Sequence, residues 1–183
     1  TIEPLINNLA GNCPWVTFYP LRDYYKKCIA SDAFGDVLNI IENYNVLSVG
    51  PGLSDTAATN AFVDDLIKYL NKNNKRTVID ADAINVLSKS ELSSFPSDSV
   101  ITPHPVELSR LINTPVKDIQ NDRIKYAKLT AEKFGCCVVL KGNQTVVCTK
   151  DLEVFVNTSG NSALAKAGSG DVLTGIISGL MAQ

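Results

Sequence analysis

Three features of the sequence predict an α/β fold: a mainly parallel sheet with helices on both faces and a β-hairpin at its carboxyl-terminal edge. Short apolar runs of strand length alternate with longer segments whose apolar residues recur at helical spacing, the pattern of crossover-connected parallel strands. The run 46–49 passes straight into Gly50-Pro51-Gly52, a turn that hands a buried strand on to the next helix. The last two apolar runs lie close together, with a spacing suited to a hairpin rather than to a helical crossover.

Taken in order, residues 2–9 read as a helix and 15–21 as a strand. Phe34, Val37, Leu38 and Ile41 fall at helical spacing, which predicts a helix over 34–44. Strand 46–49 precedes a helix over about 56–71, which runs out in the polar stretch 71–76. A strand at 77–79, a short helix near 83–87 and a strand at 99–102 come next. The helix 105–112 starts at a Pro-His-Pro corner, and a longer one over 119–134 closes at Gly135, the expected stop residue. Strands at 136–140, 145–149 and 153–157 follow closely, and the chain finishes in a helix over about 170–181. No internal repeat, low-complexity stretch or linker interrupts this order.

At 183 residues and 45% hydrophobic content the chain can bury one sizeable core, so a single domain is expected. Charged residues make up 20% and the formal net charge is -2, which leaves no electrostatic footprint for nucleic acid. The longest apolar runs are only strand-length, so no membrane-spanning helix is expected. The first residues lack the basic, apolar and small-residue succession of a secretory leader. The cysteines are five, an odd number, without metal-binding spacing, and His104 is the single histidine. Buried thiols in a reducing cytoplasm are therefore expected, rather than disulfides or zinc.

The strongest local signal is 160–171, Gly-Asn-Ser-Ala-Leu-Ala-Lys-Ala-Gly-Ser-Gly-Asp, leading into an apolar helix. Small residues let the backbone approach an anion, and a helix start supplies unpaired N–H donors with a favourable dipole. A carboxylate placed there, such as Asp171, can act as a base beside a phosphate in transfer. The plain structural alternative is a Gly-rich turn with Asp171 as the N-cap. Lys141 stands at a strand end, where open α/β sheets bind ligands, or else it is a solvated lysine. His104 is otherwise a corner histidine bonded to nearby backbone, and Gly52 otherwise a tight turn. Asp80 and Asp82 follow a strand, where they would influence a magnesium ion or order loops; a capping role is preferred for Asp82 and for Asn85.

With Asn157-Thr158-Ser159 before it and Val172-Leu173-Thr174-Gly175-Ile176-Ile177 after it, the 160–171 run resembles the signature of the NAD(P)H-hydrate dehydratases. Four more segments resemble that family in the same order. They are Val49-Gly50-Pro51-Gly52-Leu53, Asp80-Ala81-Asp82-Ala83-Ile84-Asn85, Thr102-Pro103-His104-Pro105-Val106-Glu107-Leu108, and Val139-Leu140-Lys141-Gly142 with Thr145. The likeness is specific from 49 to 177 and vague before 46.

The resemblance implies a ribokinase-like fold and a nucleotide-repair reaction. Hydrated NADH or NADPH is phosphorylated on its 6-hydroxyl by ADP or ATP, phosphate leaves, and the intact dinucleotide is restored. By the same resemblance, Lys141, Gly142, Asn143, Gln144 and Thr145 form the nucleotide-binding segment, and Gly168, Ser169 and Gly170 hold its phosphates. Asp171 is the implied catalytic base and a substrate contact, with Gly52, His104, Glu107 and Arg110 along the substrate. ADP or ATP, with Mg2+, is the implied cofactor, and no side chain is assigned as a metal ligand. The small-residue loop before Asp171 looks more like the ADP-using branch. A homo-oligomer, with a tetramer as the candidate assembly, and an epimerase domain fused upstream are implied as well.

The chain departs from the family's pattern in several places. Family members are longer, so residues 1–183 are expected to be one domain incomplete at both ends. Ser54 replaces a glycine usual after Gly-Pro-Gly-Leu, Lys166 stands among small residues, and Ala167 takes a place often held by glycine. The alternatives are a small-molecule kinase of the same fold, such as a hydroxyethylthiazole kinase, and an inactive nucleotide-binding remnant. The kinase would share the glycine loop and Asp171 but not Thr102-Pro103-His104 together with Lys141-Gly142 and Thr145.

Overall fold

The computed structural model describes residues 1–96 and 98–183. In chain order it forms α1 (Glu3–Ala10), β1 (Asp23–Tyr24), β2 (Cys28–Ile29), α2 (Phe34–Ile41), β3 (Val46–Val49), α3 (Ala57–Lys72), β4 (Arg76–Ile79) and α4 (Ala81–Leu87). Then come β5 (Ser99–Ile101), α5 (Pro105–Ile112), α6 (Val116–Asn121), α7 (Arg123–Phe134), β6 (Cys137–Leu140), β7 (Val146–Cys148), β8 (Val154–Val156) and α8 (Ser169–Met181).

The main sheet has the order β3-β4-β5-β6-β7-β8. The first four strands pair in parallel, and β7 and β8 add antiparallel as the expected edge hairpin. Because the parallel strands advance in chain order, right-handed crossovers put the intervening helices on one face. Helix α8, which returns after the hairpin, lies against β3 and β4. Strand β4 is accordingly shielded on both faces, with Thr77, Val78 and Ile79 all buried. Phe62, Val63, Leu66, Ile67 and Leu70 of α3 enter one core with Ile79, Ile101, Leu108, Ile119, Phe134 and Leu140. Phe95 and Phe134 stack within it, ring centroids 4.6 Å apart. No helix among the described residues is long and apolar enough to cross a membrane.

Two sequence expectations are corrected. Residues 15–21 form no strand; only Leu21 makes an isolated bridge, to Ile2. Their aromatic and β-branched composition imitates a strand, but Trp15, Val16 and Tyr19 are exposed and Pro20 carries no amide to donate. The local pairing is instead the small β1–β2 hairpin, whose turn residues Tyr25 and Lys26 have φ of 53° and 56°. Such turns usually advertise themselves with Asn-Gly or Asp-Gly, and neither is present here.

The helix expected over 119–134 is two helices. At Asp122 the backbone leaves helical geometry (φ -146°, ψ 75°), and its carboxylate accepts the Lys125 amide at 3.0 Å, capping α7. Residues 120–123, Gln-Asn-Asp-Arg, are all polar, so apolar spacing does not distinguish a break there from the solvent face of one helix. Gly135 ends α7 in the left-handed conformation, φ 68°, as expected. Asp122→Ala should lower stability by about 1 kcal/mol through loss of this cap, measured by urea unfolding; an unchanged midpoint would show that water serves the α7 amides equally well.

Candidate active site

The turns after β3, β4, β5 and β6 open at the carboxyl end of the parallel strands, and the start of α8 meets them there. Gly50, with φ 133°, passes so close to β4's end that a Cβ would lie 1.7 Å from the Asp80 carbonyl oxygen. Only glycine permits that approach. Gly52 differs: its φ is 69°, and a Cβ there would meet nothing within 4 Å, so the turn is bordered by open space.

Asp80 occupies the N-cap position of α4 but makes no side-chain cap bond. Its carboxylate turns instead across the sheet end. Oδ1 accepts from Lys141 Nζ at 2.8 Å and Oδ2 accepts from Thr174 Oγ1 at 2.8 Å. Asp80 is 1% exposed. Burial by itself would raise its pKa, but hydrogen bonds from Lys141, Thr102 and Thr174, together with the Lys141 charge, outweigh that and hold it below the ordinary 3.8.

Lys141 is therefore not the solvated strand-end lysine of the plain sequence reading. Its ammonium is mostly covered and lies 3.8 Å from Glu107 Oε2 as well as against Asp80. Glu107, also buried, completes a capping box: its Oε2 accepts the His104 amide at 2.7 Å. In return His104 Nδ1 accepts from the Val106 and Glu107 amides, each at 3.1 Å. That pattern assigns the imidazole proton to Nε2, which lies 3.3 Å from Glu107 Oε1. The corner histidine bonded to its own backbone is thus what the structure contains, with the ring about half exposed.

The capping roles preferred for Asp82 and Asn85 are not what the structure holds. Asp82 Oδ2 accepts the Ser54 amide at 2.8 Å, and Asn85 Oδ1 accepts from Arg110 at 2.7 Å. Ser54 has φ 66°, the left-handed region that favours glycine, which accounts physically for the glycine usual at that place. Asp171 is likewise no N-cap. That position is Gly168, with φ 85°, and Asp171 sits exposed in the first turn of α8.

The turn after β6 is shaped by a residue the sequence reading missed. Arg123 donates to the carbonyls of Leu140, Lys141 and Asn143 at 2.8, 3.1 and 2.6 Å. A Cβ on Gly142, whose φ is 147°, would come within 2.6 Å of that guanidinium. Gln144 is left-handed, Thr145 Oγ1 donates to the Gly142 carbonyl at 3.0 Å, and Asn143 and Gln144 remain exposed. Arg123 lies at a helix start outside every motif, so its only sequence signal is an arginine directly after the capping Asp122.

Gly170 joins these parts. A Cβ there would touch Asp80 Oδ2 at 3.6 Å and Lys141 Nζ at 3.7 Å, so the start of α8 packs directly on the ion pair. No side chain caps α8 among the described residues, and although the Ser169 amide donates to the Lys166 carbonyl at 3.3 Å, the Gly170 and Asp171 amides that follow can meet an anion. Lys141 and Gly170 thus meet at Asp80, Glu107 and His104 are linked to it through Lys141, and Gly52 and Arg110 border the same end through the α4 contacts. No group of three or more His, Cys, Asp or Glu side chains is placed to hold a metal ion among the described residues.

A carboxyl held below its ordinary value in the folded state contributes stability above about pH 4 and loses it as pH falls through the folded value. Urea unfolding should show stability declining below about pH 4, and the decline should be shallower for Asp80→Asn. Equal slopes in the two proteins would remove Asp80 from the acid response.

The sequence model of the NAD(P)H-hydrate dehydratase family matches residues 5–183. A bifunctional NAD(P)H-hydrate repair enzyme of Moorella thermoacetica is 40% identical over 157 residues, covering 85% of this chain and 29% of that protein. The ADP-dependent (S)-NAD(P)H-hydrate dehydratase of Bacillus subtilis is 35% identical over 181 residues, 99% of this chain and 60% of its own length. The crystal structure of a B. subtilis ADP/ATP-dependent NAD(P)H-hydrate dehydratase, co-crystallized with ATP/Mg2+, superposes with TM-score 0.78 at 32% identity, over 100% of this chain and 60% of that one. A hydroxyethylthiazole kinase from Pyrococcus horikoshii, 16% identical with TM-score 0.62 over 98% and 68%, shares the fold. The chain thus spans between about a third and three fifths of the curated relatives it matches. With these matches and a mainly parallel sheet whose motifs meet at one end, the chain belongs to the NAD(P)H-hydrate dehydratase family.

Proposed function

We propose that this protein restores NADH or NADPH from the hydrated dinucleotide, using ADP or ATP as phosphoryl donor. The observation that carries this reading is the uncapped start of α8, seated against the Lys141–Asp80 pair at the carboxyl end of the strands. The residues present fit nucleotide phosphates. Gly168 and Gly170 bring backbone close to an anion, and the first amides of α8 can meet charge without reorganising. Residues 1–183 would act as one ribokinase-like domain, with Lys141, Gly142, Asn143, Gln144 and Thr145 along the nucleotide. Gly52, His104, Glu107 and Arg110 would border the dinucleotide.

Asp171 is assigned the proton. The nucleotide supplies the phosphoryl group. A hydroxyl attacks phosphorus poorly until its proton has somewhere to go, and an exposed carboxylate in the first turn of α8 can take it as the new P–O bond forms. Loss of phosphate from the product, with a proton from the neighbouring carbon, then leaves the restored double bond. Magnesium is assigned to the phosphates of the bound nucleotide, because the Asp80 carboxylate is occupied by Lys141 and Thr174.

The relatives named as bifunctional support an epimerase domain on the same polypeptide, and a homo-oligomer rests on the family resemblance alone. A cytoplasmic setting accords with five free cysteines, three of them buried. The kinase alternative has only the fold in its favour, and a nucleotide-binding remnant is separated from it by turnover.

Lys141→Ala is a poor probe of nucleotide binding, since it strands the buried Asp80 carboxylate. Asp171→Asn is better. It should leave ADP affinity in place and lower NADH regeneration from the hydrate by about a hundredfold to ten-thousandfold. Turnover within a few fold of the parent would reduce Asp171 to a helix-start carboxylate. His104→Asn keeps a good capping side chain but removes the imidazole. It should leave the melting temperature near the parent's while raising the KM for hydrate; an unchanged KM would confine His104 to its structural role.

A further inference from the structure

We propose that Asp80 is the positioning residue of this site: one carboxylate oxygen on Lys141 and the other on Thr174 set the separation between the end of β6 and the start of α8. The inference rests on the reading of α8's start as the phosphate cradle.

An aspartate at an N-cap ordinarily accepts amides of its own helix, and Asp80 does not. It bonds side chains 61 and 94 residues away instead. Its backbone is held as firmly as its side chain. The Asp80 amide donates to Val49 at 3.0 Å, and Gly50 packs on its carbonyl. The next residue, Ala81, takes a left-handed φ of 49°, a strained conformation that persists only where surrounding structure enforces it.

Helix α8 lies on β3 and β4 with Leu173, Ile177 and Met181 half-buried, and its one fully buried side chain is polar. Thr174 is its buried residue, at 2% exposure, whereas Val172, Ile176 and Leu180 are 63%, 56% and 65% exposed. Thr174 lies one turn after Gly170, so both are on the face turned towards Asp80. At the other end of α8, Arg76 donates to the Met181 carbonyl at 3.0 Å. Arg76 begins β4 and Asp80 follows its last residue, so one strand holds α8 both at mid-length, through Thr174, and at its carboxyl end. With the helix held there, the direction of Asp171, three residues before Thr174, is determined as well. Lys141 is held by the same carboxylate, so the cation and the cradle share one anchor.

The test uses Thr174→Val, nearly isosteric but without the hydroxyl, and Thr174→Ser, which keeps it. Hydrogen exchange, ADP affinity by calorimetry, and kcat and KM for hydrate are measured on both and on the parent. The valine protein should exchange the hydrogen-bonded amides 172–176 faster than the parent, with α3 and α7 unchanged. Its kcat should fall on the order of tenfold to a hundredfold, the effect of misplacing catalytic groups, while KM for hydrate stays within about twofold. The serine protein should match the parent in each. Parent-like exchange at 172–176 or parent-like kcat in the valine protein overturns the proposal, as does a serine protein that falls as far as the valine one. Should Thr174→Val not fold, Thr174→Ala is read by the same criteria. A parent that restores no NADH would defeat the functional reading, and the exchange comparison would still decide the positioning of α8.

Discussion

The Asp80 carboxylate carries charge at the end of β4, where almost none of it reaches water. A buried carboxylate is costly unless a cation and hydrogen-bond donors replace the lost hydration. Lys141 supplies the charge, and the Thr174 hydroxyl satisfies the second oxygen. Their attachment to β6 and α8 turns a local electrostatic demand into a constraint on tertiary structure. Moving either element would leave an ion without its partner, so the three parts keep one arrangement.

Glycine appears where this arrangement leaves no room or calls for left-handed backbone. Gly50 makes space for the Asp80 carbonyl and Gly142 for Arg123, while Gly168 gives α8 its left-handed start at φ 85°. Ser54 shows what happens when such a position carries a side chain. It keeps the left-handed φ, and its amide is secured by Asp82, so the turn geometry survives the substitution. The glycines of the motifs thus have separate mechanical reasons.

Charge in the site is more balanced than an isolated strand-end lysine suggests. Lys141 stands between Asp80 and Glu107, and Glu107 is itself tied into the capping box with His104. Under the proposed function, attraction for phosphate would come largely from backbone amides at the start of α8, whose donors are fixed in direction. Such a site favours an anion that fits the loop over anions in general, which suits a reaction in which one phosphoryl group moves between two bound molecules.

Periodicity and turn residues were sufficient for the parallel sheet, the edge hairpin, α3, α5 and the stop at Gly135, because each depends on neighbours close in sequence. The five motifs were legible for the same reason, being short runs of contiguous residues. Periodicity could not show the break at Asp122, since residues 120–123 are all polar and read equally well as a helix's solvent face, nor that residues 15–21 have no strand to pair with. Nor could spacing assign Asp82 and Asn85, which looked like caps and are instead bonded to Ser54 and Arg110, or find the Lys141 and Thr174 partners of Asp80. By itself the sequence determined which segments become strands and helices and which motifs reach the sheet end. Only tertiary structure decided which buried charge meets which, because ion pairing depends on distances in space between residues as far apart as Asp80 and Thr174.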